Sequence, residues 1–277
     1  MTRMPSEGLR LLLHGVRGSV PTASPTVQRY GGDTICFEVD LGRPEHRLLI
    51  DCGTGVRHVA VDAEDAAGTT FDILFSHFHW DHLEGLGFFP PVFREQHRFT
   101  FHGRPEGLSV QEALEGALRP PWFPIALAET PSEKRYTDMG GSTFTIEGVA
   151  VTPLALSHPQ GVTGYRFDAG GRSIAIATDH EAGTPEVDAA LVEWARGVDV
   201  LIHDAQYTAD DYEEHRGWGH STWDAAIEAA TAAGVGRLVT ISHDPSRTDD
   251  EIDALVASAR KRFAETSAAR AGEVIEV

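Results

Sequence analysis

Phe71-Asp72-Ile73-Leu74-Phe75-Ser76-His77-Phe78-His79-Trp80-Asp81-His82 is the stretch on which the reading of this chain turns. Its first five residues form a largely apolar run that reads as a buried strand. The residues that follow carry three imidazoles and one carboxylate within positions 77–82. Histidine makes up 14 of 277 residues, so composition alone does not account for three of them beside an aspartate in so short a span. Nitrogen and carboxylate donors delivered together from a strand end suit a Zn²⁺-like ion. In an extended tail His77 and His79 share a face and can grip the same ion. Asp81 and His82 come where Leu83 to Gly87 starts a short helix, so they point elsewhere and suit a second ion. Two ions can share a carboxylate and make water a nucleophile at neutral pH. The pattern predicts an enzyme.

Three later strands also end in ligand-type residues. They are Val151–Ser157 before His158, Ser173–Thr178 before Asp179, and Leu238–Ser242 before His243. Taken singly, a His or Asp at a strand end is more often a turn residue or a cap. Taken in order, they and the His-x-His-x-Asp-His motif resemble the metallo-β-lactamase superfamily. The resemblance implies that His158 completes the first site and that Asp179 bridges both ions. It implies His243 as the last ligand of the second. The implied first site is therefore His77, His79, His158 and Asp179, and the second is Asp81, His82, Asp179 and His243. The donor set suits two divalent ions, Zn²⁺ by preference, with Mn²⁺ or Fe²⁺ compatible.

Two segments narrow the branch. Leu201-Ile202-His203-Asp204-Ala205-Gln206-Tyr207, followed by Gly217-Trp218-Gly219-His220-Ser221-Thr222, resembles the paired motifs of tRNase Z-like phosphodiesterases. This implies that His220 stands near the leaving group, oriented by Asp204. The departure is Asp204 where that family has Glu, one methylene shorter. The competing reading makes Ser221 or Thr222 a cap for a helix over 224–233 and His220 a loop residue. The N-terminal run, Leu11 to Pro21 and then Tyr30 to Cys36, resembles the opening of small bacterial cyclic-nucleotide phosphodiesterases, and Asp51-Cys52-Gly53-Thr54-Gly55 follows it. Ser19, Asp33 and Thr34 are expected beside a phosphate, unless these are ordinary glycine turns. Asp51 is expected to brace a metal-binding loop.

The remaining sequence sets limits. No Pro/Gly/Ser-rich linker divides the chain, and ligands come from both halves, so one domain over 1–277 is expected. No signal peptide or long apolar run is seen, which makes a cytoplasmic protein the default. Cys36 and Cys52 fall in or beside apolar strands and read as buried thiols. Strands are expected at 47–51, 71–76, 98–102, 143–146, 163–167 and 198–202. Helices should open at Thr184-Pro185-Glu186, with Val187, Leu191 and Trp194 on one face, and at Thr248 or Asp249, burying Ile252, Leu255, Val256, Ala259 and Phe263. Periodicity gives an α/β chain. The resemblance, which covers residues 10–250, implies an αβ/βα four-layer sandwich of two mixed sheets flanked by helices.

The formal charge of −19 disfavours a long nucleic-acid footprint, which needs a basic surface. The Phe88–Pro124 stretch, rich in aromatics and proline, reads as a lid, a homodimer surface or plain loop packing. The expected function is a dinuclear metal-dependent phosphodiesterase for a small diester such as a cyclic nucleotide. Asp81 would orient the nucleophile, and His220, steadied by Asp204, would protonate the departing alkoxide. A tRNase Z-like ribonuclease is the second reading, a lactonase or β-lactamase-type hydrolase the third. A non-catalytic binding protein is the reading from outside enzymology.

Overall fold

Strands that are apolar on both faces must be covered on both sides, and this requirement generates the layers of the chain. The computed structural model describes residues 8–61 and 68–277. Its first sheet holds β1 (Arg10–Gly15), β2 (Cys36–Val39), β3 (His46–Ile50), β4 (Thr70–Leu74), β5 (Arg98–Gly103) and β6 (Glu133–Asp138). The second holds β7 (Phe144–Ile146), β8 (Val149–Leu156), β9 (Val162–Ala169), β10 (Arg172–Ala177), β11 (Val200–Asp204), β12 (Arg237–Ile241) and β13 (Thr266–Ala268). A last strand, β14 (Val274–Glu276), returns to the first sheet and pairs antiparallel with β1. The orders are β14-β1-β2-β3-β4-β5-β6 and β13-β12-β11-β10-β9-β8-β7. Both sheets are mixed: β3 to β6 run parallel, as do β10 to β13, and the other neighbours are antiparallel.

Alternation along each strand sorts side chains between layers. Leu48 and Ile50 of β3 meet Ile174 and Ile176 of β10 and Val239 and Ile241 of β12 in the core between the sheets. Leu49, Phe71 and Ile73 face the other way, under α1 (Trp80–Leu83), α2 (Val110–Ala117) and the 3₁₀ turns around them. Ala175, Leu201 and Leu238 face outward beneath α5 (Trp223–Ala233) and α6 (Asp249–Ala259). Leu191 of α3 (Pro185–Trp194) packs with Leu156, Val162 and Ala177, and α4 (Ala209–His215) carries no buried residue. The result is the four-layer sandwich expected.

Local signals set the helix ends. Thr248 accepts from Glu251 N in a reciprocal capping box that opens α6, and Thr222 accepts from Ala225 N to cap α5. Thr184 precedes α3 but makes no side-chain cap bond; Asp188 reaches back to Gly183 N instead. The Phe88–Pro124 stretch contains β5 and α2, with Phe89 and Val92 buried and Phe88 and Trp122 exposed.

A His–Asp–His ladder crosses β3, β4 and β5. Asp72 lies 2.6 Å from both His46 Nε2 and His102 Nε2. Burial alone would raise the Asp72 carboxyl; the bonds from His102 and His46 outweigh it and bring it down from 3.8 to about 2. A depressed carboxyl contributes stability above its unfolded value, and that contribution is lost as pH falls from about 4 toward 2. Asp72→Asn is expected to cost about 2 kcal/mol at pH 6 and to flatten the acid limb of stability. Urea unfolding between pH 2 and 7 reads both; an unchanged acid limb would contradict the assignment.

Candidate metal centre

The carboxyl ends of β4, β10, β11 and β12 open on one edge of the sandwich, and the loop after β8 joins them. This is where open α/β sheets place ligands. Two bonds tie the first ligand loop to the opposite sheet: Thr163 N donates to Ser76 O at 2.8 Å and Tyr165 OH to Phe75 O at 2.7 Å. The backbone is forced at the same edge. Ser19, Asp51, Gln160, Asp179 and Ser242 are non-glycine residues with φ between 49° and 60°. Such conformations cost energy and persist only where the surroundings hold them.

Four histidines converge. The ring of His77 lies 4.5 Å from that of His79, 4.2 Å from His82 and 4.6 Å from His158. Donor atoms of His77, His79 and His158 lie within 4.8 Å of one another, as do those of His77, His82 and Asp179. Each ring is turned by its other nitrogen. His82 Nδ1 is 2.8 Å from Asp51 Oδ2, and the same carboxylate accepts from Ser76 N and Oγ. Asp51 is therefore the brace expected of it. His77 Nδ1 is 3.1 Å from Ser76 Oγ, His158 Nδ1 donates to Gly219 O at 2.8 Å, and His79 Nε2 meets Gln160 Oε1 at 3.0 Å. Gly219 has φ 91°, and any Cβ there would collide with the His158 ring.

These residues fit divalent cations. His77 Nε2 and His82 Nε2 are buried with no hydrogen-bond partner, although buried polar atoms ordinarily have one. Both point at Asp179 Oδ2, at 3.8 and 3.2 Å, and His82 Nε2 lies 3.4 Å from Asp81 Oδ2. Burial and the neighbouring His82 push His77 well toward the neutral form a ligand requires. Burial also disfavours charge on His82, but Asp179, Asp81 and Asp51 outweigh it and raise its pKa well above the usual histidine value. A site that holds a proton this way holds a cation in its place once one is supplied.

His243 is not brought to this cluster. Its Nε2 donates to Ala269 O at 2.9 Å, and its ring packs edge-on against Tyr30. The residue that reaches Asp179 from β12 is Ser242, whose Oγ donates to Asp179 Oδ1 at 3.2 Å. The shift of one residue comes from the backbone. Ser242 has φ 58°, and the N-terminal turn clamps the next residue, with Gly18 N donating to His243 O and His243 N to Val16 O. Asp33 and Thr34 also work elsewhere: Asp33 pairs with His58, while Thr34 and Thr54 exchange bonds that fix the Asp51–Gly55 loop. Ser19 does reach the site, but through its N–H, which donates to Asp81 Oδ2 at 2.9 Å.

Across from the histidines stands the predicted pair. His220 Nδ1 is 2.7 Å from Asp204 Oδ2, and its Nε2 faces Asp179 Oδ2 at 3.9 Å. Asp204 is fully buried, and its Oδ1 accepts from Ser221 N at 2.7 Å. Aspartate thus suffices where the resemblance called for glutamate. Burial works against the charged form of His220, but Asp204, Asp179 and Asp81 prevail and keep it protonated up to about 9.

The family described as the beta-lactamase superfamily domain matches residues 46–243. The chain belongs to the metallo-β-lactamase superfamily. It is 26% identical to Ribonuclease BN of Escherichia coli strain K12, covering 88% of this chain and 91% of that protein. Among solved structures it resembles the metallo-beta-lactamase fold protein YhfI from Bacillus subtilis, with 19% identity, 98% and 100% coverage and a TM-score of 0.72. It also resembles a diphosphatase from the PhnP family, with 18% identity, 97% and 98% coverage and a TM-score of 0.68. Membership in this metallo-β-lactamase group makes the chain a metal-dependent hydrolase. Among the described residues no helix is long and apolar enough to cross a membrane.

Proposed function

We propose that this chain is a phosphodiesterase that hydrolyses a small phosphodiester such as a cyclic nucleotide. The observation that carries the reading is the His220–Asp204 pair, a proton donor aimed across Asp179 toward the histidine cluster. The mouth in front of it is a cavity of about 580 Å³ lined by Ser19, Trp80, Tyr207 and Trp218, among others. That volume matches a small ligand. Trp80 and Trp218 are 54% and 62% exposed, which leaves their faces free for a planar group.

His77, His79 and His158 would hold one divalent ion, Zn²⁺ by donor chemistry, with Asp179 between it and a second position at Asp81 and His82. When bound, such ions polarise phosphoryl oxygens and make water acidic enough to act at neutral pH. The chain's own residues do the rest. Asp81, fixed by the Ser19 N–H, orients the attacking water. Asp204 accepts a hydrogen bond from the Nδ1–H of His220 and fixes the ring, so that the Nε2 proton can pass to the departing alkoxide.

The ribonuclease reading draws on the relative named Ribonuclease BN; the charge of −19 weighs against a long RNA footprint. Bis-p-nitrophenyl phosphate, cyclic nucleotides and pre-tRNA assayed side by side decide between them. The expected result is turnover of the small diesters. Turnover confined to pre-tRNA, with a steep salt dependence, would transfer the assignment to the ribonuclease.

A further inference from the structure

The two cation positions differ in chemistry. The first is built of imidazoles, from His77, His79 and His158, with donor atoms within 4.8 Å of one another. The second, apart from the His77 it shares with the first, has one imidazole, His82, facing Asp179 Oδ2 at 3.2 Å and Asp81 Oδ2 at 3.4 Å. From β12 the chain delivers the Ser242 hydroxyl, and it is already committed. It and Thr178 Oγ1 donate to Asp179 Oδ1, at 3.2 and 2.7 Å. Oδ1 is thus tied to two hydroxyls, and Oδ2 is left to face the ions. His243 cannot compensate, because its ring is buried against Tyr30 and its Nε2 is bound to Ala269 O. The Nε2 of His82, on a side chain that is 0% exposed, has no hydrogen-bond partner, as a nitrogen suited to ligate a cation would have none.

We infer that the site is asymmetric: an imidazole-rich position retains zinc, and an oxygen-rich position at Asp81, His82 and Asp179 takes an exchangeable harder ion, Mn²⁺ or Mg²⁺. Imidazole suits zinc and its neighbours, whereas carboxylate and water suit manganese and magnesium. With few protein donors the second ion keeps much of its own water, so it binds weakly and leaves readily. The residue that sets the difference is Ser242, which brings a hydroxyl bound to Asp179 Oδ1 from the strand end where the resemblance called for an imidazole ligand. This holds whichever ester is cleaved.

The test counts ions rather than turnover. The full chain is loaded with zinc, dialysed against metal-free buffer and assayed for elements, then titrated with Mn²⁺ by electron paramagnetic resonance. The expected result is about one zinc kept per chain and one further Mn²⁺ site of weaker affinity. In Ser242→His about two zinc ions should survive the same dialysis, and the Mn²⁺ site should close. Ser242→Ala, which frees Asp179 Oδ1 without adding a donor, should keep one zinc and one Mn²⁺ site. Should Ser242→His fail to fold, Asp81→Asn serves: it should lose Mn²⁺ and keep zinc. Two zinc ions retained equally by the native chain would overturn the inference. So would a Mn²⁺ site that survives Asp81→Asn, or one that vanishes in His220→Ala.

Discussion

His77→Ala is expected to abolish turnover and to make the protein's thermal stability indifferent to chelators. His77 sits at the centre of the cluster, its ring within 4.6 Å of those of His79, His82 and His158. Its Nε2 points at the shared carboxylate of Asp179. The substitution removes a donor common to both groups of converging side chains, so the ions are lost or misplaced. Bound ions provide several kcal/mol of charge stabilisation, and each 1.4 kcal/mol or so is a factor of ten, so the rate should fall by about 10⁴-fold or more. Stability gives an independent reading. An ion present at about 100 times its dissociation constant stabilises the native state by about 2.7 kcal/mol. For a chain of this size that corresponds to roughly 5–10 °C in melting temperature. The native protein should therefore melt earlier after chelation, and His77→Ala should melt alike with and without the chelator. A variant that still turns over, or whose melting still responds, would remove His77 from the site.

His220→Ala should keep its zinc and lose rate by a factor of about 10²–10⁴, the usual effect of removing a general acid. The loss should depend on the leaving group. An alkoxide needs the proton, whereas p-nitrophenolate departs without it, so the aryl ester should be least affected. The pH profile separates this role from a structural one. An acid works while protonated, so activity is present below the pKa of His220 and lost as pH rises through it. Asp204, Asp179 and Asp81 hold that value up to about 9, against the effect of burial. Bound cations offset the charge of Asp179 and Asp81 and bring the limb down from there. In His220→Ala the alkaline limb should disappear. Equal losses on alkyl and aryl esters with the limb intact would assign His220 to scaffolding.

Most of the fold's outline was legible because strand ends and caps are local events. The run expected at 98–102 is β5, Arg98–Gly103, and the start read at Thr248 or Asp249 is the capping box of α6. The pairing of strands into two sheets was not legible from periodicity, which says which face is apolar and not which neighbour covers it; that came from resemblance. At the site, residues on tight local motifs arrived where expected: His77, His79, Asp81 and His82 follow one strand, and Asp204 and His220 meet at 2.7 Å. His243 did not, because one positive φ at Ser242 decides which of two adjacent side chains faces Asp179. Main-chain bonds with Val16 and Gly18, more than two hundred residues away in sequence, hold the next residue, His243. Gln160 and Gly219 escaped notice for a related reason. They touch the metal-facing histidines through a neutral amide and a main-chain carbonyl, which leave no charge or spacing signal.

X-ray absorption at the zinc edge of the reconstituted native chain tests the convergence of these distant residues most directly. The account predicts several imidazole nitrogens at about 2.0–2.1 Å from zinc and no sulfur scatterer, with the multiple-scattering pattern of histidine reduced in His158→Ala. A spectrum of hydrated zinc alone, or one unaltered by losing His158, would contradict it.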